Sequence, residues 1–222
     1  MWQKFKELKK QLGFTNTLLY LFNRLFPPVR VIKYYFLSQL FSQEPLLPER
    51  RGRNIKVIEI PETKGINPCP RPANVIIERY SQSATCLAAF RNESFVGCLW
   101  YVKEKYHEDE VNCLFEFDSK DSVWDFDVYV TPELRLSPVF LKLWDELSAR
   151  LIKEGYHYSL SRISALNVGS LSSHKRMGAQ QIGWATFICI GQFQITISNV
   201  SPFLHFSSGK ASFPVFKLKP SA

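Results

Sequence analysis

Hydrophobic positions in the first 26 residues recur every three or four residues, as on one face of a helix. In the first segment these positions are Trp2, Phe5, Leu8 and Leu12. Lysines occupy the other faces, so residues 1–12 are predicted to form an amphipathic helix that ends at Gly13. A second helix is expected to end at Phe26, before a proline pair, and a third apolar stretch covers residues 29–41. We interpret residues 1–53 as a basic helical leader and linker.

Beyond residue 53 the pattern is mainly strand-like, with two helical segments. Strands are predicted over residues 55–60, 74–80, 85–90, 94–102, 111–117, 122–130, 158–163, 181–190 and 192–197. Short polar turns predict two β-hairpins, one from 85–90 and 94–102, the other from 111–117 and 122–130. Helices are expected over 138–154 and 168–177. This order predicts an α+β body over residues 54–222, with a mixed, mostly antiparallel central sheet and helices packed on it.

The formal net charge of +8 lies in the first quarter of the sequence. Residues 1–56 hold eleven Lys and Arg against three acidic residues, while residues 57–222 hold seventeen of each. A basic segment ahead of a neutral body indicates an anionic partner for that segment, either an acidic membrane surface or nucleic acid. Its basic residues are interleaved with aliphatic ones and no nucleic-acid-binding motif occurs, so nucleic acid is disfavoured.

No part of the leader is predicted to span a membrane, because basic residues and a proline pair interrupt each apolar run. Basic residues also continue through the apolar part, which is not typical of a signal peptide. We therefore expect a cytoplasmic protein and keep two interpretations of residues 1–41. Either they lie on the anionic inner face of the membrane with Trp2 and Phe5 inserted, or they cover the core of the body.

Composition disfavours two common classes of site. No glycine loop of the Walker or dinucleotide-binding type occurs in the sequence. The five cysteines form no CxxC pair and have no histidine at metal-ligand spacing. We therefore expect free thiols in a reducing compartment and no metal site.

Two segments of the body carry a family resemblance. The first is Val128-Tyr129-Val130-Thr131-Pro132-Glu133-Leu134-Arg135, a predicted strand and turn followed by a long helix. The second is Ser164-Ala165-Leu166-Asn167-Val168-Gly169-Ser170, followed by His174 and by Met177-Gly178-Ala179. At this spacing, and with the element order of residues 74–190, they resemble the acyl-CoA-binding motif and a later motif of the GNAT acyltransferase superfamily.

The resemblance implies an N-acyltransferase that moves an acetyl or longer acyl group from a thioester to an amine-bearing acceptor. The implied donor is acyl-CoA, acetyl-CoA or an acyl carrier protein thioester. Backbone groups of the strand would bind the pantetheine amides, and the helix N-terminus with an arginine would bind the pyrophosphate. The donor-binding residues carried over in this way are Val128, Tyr129, Val130, Arg135, Leu136, Ser137 and Val139.

The same resemblance supplies candidate catalytic and acceptor residues. His174 stands where the family usually has a thiol-protonating tyrosine, and an imidazole can act as a general acid near neutral pH. The alternative is a surface histidine. Independently of the resemblance, Asp125, Asp127 and Tyr129 alternate along the predicted central strand and share one face, where Asp127 is our candidate base; the alternative is a merely polar sheet face. Asn167 is expected to cap the following helix or to contact the acceptor, and Glu116 to line the acceptor side.

The chain departs from the family after Arg135. Leu136-Ser137-Pro138-Val139-Phe140 stands where the family has two glycines, or a glycine and an alanine. Pro138 lacks a backbone N–H, and Phe140 fills the space through which a phosphate approaches the backbone. Donors other than CoA, as in branches that use acyl carrier protein or aminoacyl-tRNA, therefore stay open. The alternative function is a catalytically degenerate module that binds a membrane surface or a protein partner.

Overall fold

The computed structural model describes residues 2–48, 50–62, 67–117 and 120–221, without the side chains of residues 2–8. Its elements are α1 (Trp2–Leu25), β1 (Val29–Leu40), β2 (Ile55–Ile60), α2 (Ala73–Ser81), β3 (Thr85–Arg91), β4 (Ser94–Val102), β5 (Tyr106–His107), β6 (Leu114–Phe117), β7 (Ser122–Val130), a 3₁₀ turn (Pro132–Leu134), α3 (Val139–Lys153), β8 (Tyr158–Ser164), α4 (Val168–Arg176), β9 (Gln180–Ile190), β10 (Phe193–Ser198), β11 (Leu204–Ser208) and β12 (Val215–Leu218).

The chain divides into two compact units. Unit 1 comprises Met1–Gln39, His107–Asp118 and Ser161–Ala222, and unit 2 comprises Leu40–Tyr106 and Ser119–Leu160. Each unit combines helices with mainly antiparallel strand pairs. The predicted α+β fold class is therefore confirmed.

Unit 1 contains an antiparallel sheet in the order β11–β10–β9–β1. One face of this sheet packs against β6 and β12, which pair with each other in parallel. Aromatic rings fill the space between them, with centroids 5.2 to 6.2 Å apart. These rings belong to Tyr34, Phe36, Phe115, Phe187 and Phe216, all completely buried.

The N-terminal helix of unit 1 consists of two segments. Gly13 has a φ of 76°, so the helix bends there, as the sequence predicted. The second segment is held against β1 by Asn23. Its side-chain amide donates to the carbonyl oxygen of Val31 and accepts from the Val31 N–H, both at 2.7 Å. The α1 segment after Gly13 is therefore attached to the sheet of unit 1.

Unit 2 contains an antiparallel sheet in the order β7–β4–β3–β2, with the first residues of β8 beside β7. Helix α3 covers one face of this sheet. Its buried stripe consists of Val139, Leu143, Trp144, Leu147 and Leu151. Because side chains alternate between faces along a strand, α2 and the loop before it contact the opposite face, where Tyr80 packs on Trp100.

A strand predicted over residues 74–80 is wrong, because this segment is helix α2. Its run of Val75, Ile76 and Ile77 has high strand propensity. In the structure, however, residues 75, 76, 79 and 80 face the protein while 77 and 78 are exposed. Tertiary packing of this helically spaced face overrides the local propensity.

The second predicted hairpin is also wrong. Strand β6 pairs with β12, and β7 pairs with β4 over Gly97–Val102. Both strands exist, but a turn-like sequence between two strands does not oblige them to pair with each other. Residues 118 and 119 of the predicted turn lie outside the described residues.

The leader differs from its predicted form after its helix. The helical interpretation applies up to Leu25, but residues 29–40 form strand β1, paired with β9 from Val29 opposite Ile190 to Ser38 opposite Gln180. The boundary predicted at residue 53 also differs from the limits of the two units. Among the described helices, none is long and apolar enough to cross a membrane. The predicted insertion of Trp2 and Phe5 concerns side chains outside the described ones.

Candidate functional site

The predicted donor-binding strand is the C-terminal part of β7. Val128, Tyr129 and Val130 are partly buried and lie opposite Leu99, Cys98 and Gly97 of β4. Gly97 is required for this close pairing. A Cβ atom at this position would lie 2.6 Å from the carbonyl oxygen of Tyr129 and 3.1 Å from Cγ1 of Val139. Because residue 97 has no side chain, both β7 and the start of α3 can lie close to β4 at this position.

The turn after β7 places the remaining donor residues near the start of α3. The Leu134 N–H donates to the carbonyl oxygen of Thr131 at 2.9 Å, and Arg135 ends the 3₁₀ turn with an exposed side chain. Leu136 is fully exposed. The Ser137 hydroxyl accepts from the Val139 N–H at 3.4 Å, at the N-terminal end of α3. Exposed Arg135 therefore lies within a few residues of that helix end.

Asp127 holds two arginines on the α2 side of β7. Nε and Nη2 of Arg71 donate to Oδ2 and Oδ1 of Asp127 at 2.8 and 2.7 Å. Nη1 of Arg79 donates to Oδ2 at 2.7 Å. The Arg79 side chain is 6% exposed, whereas that of Arg71 is 33% exposed. These charge-assisted hydrogen bonds fix the carboxylate and leave one arginine facing outward.

A row of aromatic rings extends from this ion pair across the sheet. The Arg71 guanidinium carbon lies over the Tyr129 ring, 6.0 Å from its centroid. The Tyr129 ring stacks on that of Phe95 with 6.2 Å between centroids. The Phe95 ring in turn contacts that of Phe90 edge-on, with 6.1 Å between centroids. Phe90 lines an open groove of about 380 Å³. The other residues of this groove are Arg53, Asn54, Lys56, Ile58, Asn92 and Glu93. A mainly polar groove with two basic residues and one aromatic ring thus lies on the sheet face that carries Tyr129.

Three thiols lie beneath the same face of unit 2. Sγ of Cys69 is 3.4 Å from Sγ of Cys86, and Cys69, Cys86 and Cys98 are at most 4% exposed. The hydrogen bond with Cys86 lowers the pKa of the Cys69 thiol to about 5, against the opposing effect of burial. The five cysteines are free, as predicted. Among the described residues, no group of three His, Cys, Asp or Glu side chains is arranged to hold a metal ion.

His174 lies on α4 in unit 1 and is 2% exposed. Burial lowers the pKa of its imidazole from 6.5 to about 4, because the charged form would lose its hydration. At neutral pH this ring is therefore an uncharged group inside unit 1. The alternative of a surface histidine is therefore wrong, and the proton-donating role that the resemblance implies stays a prediction.

The two candidate acceptor residues also belong to unit 1. Oδ1 of Asn167 accepts from the Ser170 N–H at 3.1 Å, so Asn167 is the N-cap of α4, one of its two expected roles. Glu116 lies on β6 opposite Lys217 of β12. The Lys217 Nζ atom is 3.7 Å from the Glu116 carboxylate. Asn167 and Glu116 thus have structural partners within unit 1, and their contact with an acceptor stays a prediction.

The structure groups the site residues differently from the sequence analysis. Asp127 and all seven predicted donor residues belong to unit 2, and His174, Asn167 and Glu116 to unit 1. Arg71 and Arg79 were not predicted. They lie 56 and 48 residues before Asp127, one in a proline-rich loop and the other in a segment assigned to a strand. No local signal in the sequence could have connected them.

Neither a protein-family model nor a curated protein matches the sequence. Solved structures with a similar fold include a functionally unknown conserved protein from Staphylococcus epidermidis, with 11% identity and a TM-score of 0.49. A GCN5-related N-acetyltransferase from Sphaerobacter thermophilus has 14% identity and a TM-score of 0.49. The aminoglycoside acetyltransferase AAC(6')-Iy in complex with a bisubstrate analogue has 17% identity and a TM-score of 0.41.

These alignments cover different shares of the chains compared. They include 77%, 76% and 56% of the present chain, in the same order. The chain spans 65% and 54% of the first two proteins and 89% of the third. Two of these three solved structures are of acetyltransferases.

Proposed function

We propose that this protein is an N-acyltransferase of the GNAT type. It would transfer an acyl group from a thioester, carried by CoA or by an acyl carrier protein, to an amine. The observation that supports this best is the continuous path from the partly buried end of β7 at Val130, through a turn with exposed Arg135, to the N-terminus of α3. This is the strand, turn and helix that the sequence resemblance assigns to donor binding.

In the proposed reaction the neutral amine attacks the carbonyl carbon of the thioester. A C–N bond forms, the C–S bond breaks, and the departing thiolate gains the proton that the amine loses. The protein would contribute by orienting the two reactants and by moving this proton. The products are an amide and the free thiol of the carrier.

Asp127 stays our candidate to receive the amine proton, directly or through water. Two of its three hydrogen bonds end on Oδ2 and one on Oδ1, so Oδ1 keeps a lone pair for one further donor. Arg71 is partly exposed beside Tyr129, where it is suited to bind a negatively charged group of either reactant. The groove lined by Phe90, Arg53 and Lys56 is the proposed acceptor entrance in unit 2.

The donor carrier is left open between CoA and an acyl carrier protein. Pro138 is the N-cap residue of α3 and cannot donate a hydrogen bond to a phosphate. Phe140 is partly buried, with its ring 6.4 Å from that of Trp144. A carrier protein would place less demand on this first helical turn than a nucleotide. We also propose that the helical part of residues 1–41, α1, helps to hold the protein at the anionic inner face of a membrane.

The test is donor turnover by the full chain. Acetyl-CoA, a long-chain acyl-CoA and acyl carrier protein thioesters are each incubated with the protein, with and without a panel of amines. Bound donor is detected by native mass spectrometry and thiol release by absorbance. Arg135→Ala is expected to weaken donor binding about tenfold through loss of a charged phosphate contact. Lys105→Ala removes another exposed cation of unit 2 and serves as the matched control.

Three results would contradict the proposal. The first is that no thioester is bound or cleaved, which favours the alternative of a degenerate module. The second is equal donor binding by Arg135→Ala and the wild type. The third is a loss of binding in Lys105→Ala as large as in Arg135→Ala, since general charge would then explain it.

A further inference from the structure

One face of the unit 1 sheet is apolar and open. Side chains alternate along a strand, so the register places three rows of residues from β1, β9, β10 and β11 on this face. The rows are Val29–Ile190–Phe193–Ser208, Val31–Ile188–Ile195–Phe206 and Lys33–Thr186–Ile197–Leu204. We name these twelve residues the open face.

Packing identifies the open face as the side away from the core. Tyr34 of β1 and Phe187 of β9 point to the opposite side, into the aromatic cluster with β6 and β12. Gln194 of β10 also faces that side, where its Nε2 donates to the carbonyl oxygen of Asn112 at 2.9 Å. The sheet of unit 1 thus has one covered side and one side that α1 covers only in part.

Exposure of the open face is high at its outer strands. Phe206, Phe193 and Leu204 are 65%, 57% and 56% exposed, and Ile190 and Ile197 are 47% and 42% exposed. Contiguous apolar surface of this kind on a folded protein usually marks an interaction site.

The second segment of α1 adds to this apolar surface beside β1 and β9. Leu18, Phe22 and Leu25 are exposed and line a groove of about 650 Å³ whose other wall includes Val31, Lys33 and Thr186. Asn23 fixes the helix in this position through its two hydrogen bonds with Val31. The helix thus presents apolar side chains beside the open face.

Charge in unit 1 indicates the nature of the occupant. The segments 1–39 and 161–222 hold a single acidic residue, Glu7, and thirteen Lys and Arg, of which Arg162 and Lys217 pair with acids of residues 107–118. The open face itself includes Lys33 and no acidic residue. Three of the acids in residues 107–118 have partners: Glu108 binds Arg162 at 2.6 Å, Glu110 accepts from the Tyr34 hydroxyl, and Glu116 pairs with Lys217.

We propose that the open face and the adjacent α1 segment dock onto an anionic lipid bilayer. Exposed Phe, Leu and Ile side chains would enter the boundary between headgroups and acyl chains, while Lys33 and the exposed Lys and Arg of α1 contact lipid phosphates. A second copy of the chain fits this face less well, because it would bring two strongly basic units together. Nucleic acid fits less well because the open face is apolar and carries a single cationic side chain, that of Lys33. The proposal does not depend on acyltransferase activity.

The test measures co-sedimentation of the full chain with vesicles in the absence of any substrate. Vesicles of phosphatidylcholine alone are compared with vesicles that also contain phosphatidylglycerol. The double variant Phe193→Ser with Phe206→Ser is expected to bind the anionic vesicles about tenfold or more weakly than the wild type. Each serine lacks the apolar surface that the phenylalanine ring would bury in the lipid. Ile77→Ser, at a residue 65% exposed on α2 of unit 2, is the matched control and should bind as the wild type does.

A second double variant tests the same face in case the first one does not fold. Ile197→Ser with Leu204→Ser alters the third row, and each variant is checked by urea unfolding before vesicle binding is compared. Lys9→Gln with Lys10→Gln tests the leader separately.

Four outcomes would overturn the proposal. They are absence of wild-type binding to anionic vesicles, equal binding to neutral vesicles, undiminished binding by both serine pairs, and loss of a wild-type dimer in the serine pairs without a change in vesicle binding. Undiminished binding by both serine pairs with a loss in the lysine variant would assign the membrane contact to the leader alone. Thiol release measured on the same variants keeps this result separate from the acyltransferase proposal.

Discussion

His174 is the residue whose environment differs most from what the sequence suggested. A histidine followed by Lys175 and Arg176 on a short helix has the sequence context of a solvated residue. Its ring is nevertheless 2% exposed, and burial lowers its pKa to about 4. A buried neutral imidazole resists protonation, so its first effect is on the stability of unit 1 in acid.

We expect this burial to make the free energy of unfolding depend on pH. In the unfolded chain the imidazole binds a proton below about pH 6.5, whereas in the folded chain it does so only below about pH 4. Stability is therefore fully present above the unfolded pKa and is lost as the pH falls from 6.5 to 4, by at most about 3 kcal/mol. Urea unfolding of the wild type and of His174→Gln across this range measures the difference.

The two roles of His174 predict different results. For a structural role, the stability difference between wild type and His174→Gln should narrow or reverse toward pH 4, with thiol release intact wherever the variant is folded. For a proton-donating role, His174→Gln should in addition lose thiol release at neutral pH, under conditions where the variant is folded. Parallel stability curves would therefore contradict the structural expectation.

At the level of elements, local sequence predicted most of the helices and strands but not their partners. The strands β3 and β4 form the expected hairpin, in which Asn92 and Glu93 have positive φ angles of 49° and 65°. By contrast, β6 and β7 exist without pairing to each other, and residues 74–80 form a helix. Turn chemistry acts over a few residues, whereas pairing and burial depend on segments far away in the sequence.

Gly97 offers a test of how β4, β7 and α3 fit together. We expect Gly97→Ala to lower the free energy of unfolding by about 2 kcal/mol, because the new methyl group would overlap the carbonyl oxygen of Tyr129 and crowd Val139. Urea unfolding measures this change. If the proposed donor site adjoins these residues, donor binding should weaken as well.

The control substitution has the opposite expected sign. Gly169 lies in α4, where an added Cβ would meet only Oδ1 of Asn167, at 3.9 Å. Gly169→Ala should therefore leave stability unchanged or raise it by up to about 1 kcal/mol, since alanine favours a helix more than glycine does. Equal stabilities for Gly97→Ala and the wild type would show that β4 and β7 adjust without cost.

For the whole molecule, the net charge is distributed differently between the two structural units than between the N-terminal and later parts of the sequence. In the sequence the net charge of +8 lies within residues 1–56. By unit, thirteen basic and six acidic residues belong to unit 1, and fifteen and fourteen to unit 2. The excess of basic residues is thus shared between the N-terminal segment and residues 161–222, which contain no acid.

The place of β1 in the sheet leads to a prediction about truncation. Removal of residues 1–41 should give an insoluble or unfolded protein, because it deletes the strand that pairs with β9 from Ile190 to Gln180. Removal of residues 1–12, which ends before the bend at Gly13, should leave a folded protein. Soluble yield and circular dichroism distinguish the two. A soluble, donor-binding chain that begins at residue 42 would contradict the assignment of β1 to the core.

By itself, the sequence determined the α+β class, the hairpin of β3 and β4, the helices α3 and α4, and the bend at Gly13. These features follow from hydrophobic period, turn residues and caps, which act within a few residues. Only the tertiary structure decided that residues 29–40 are a strand and that Asp127 holds Arg71 and Arg79. The burial of His174 and the open sheet face of unit 1 were likewise decided only by the tertiary structure. Burial and ion pairing depend on residues that lie tens of positions apart in the sequence.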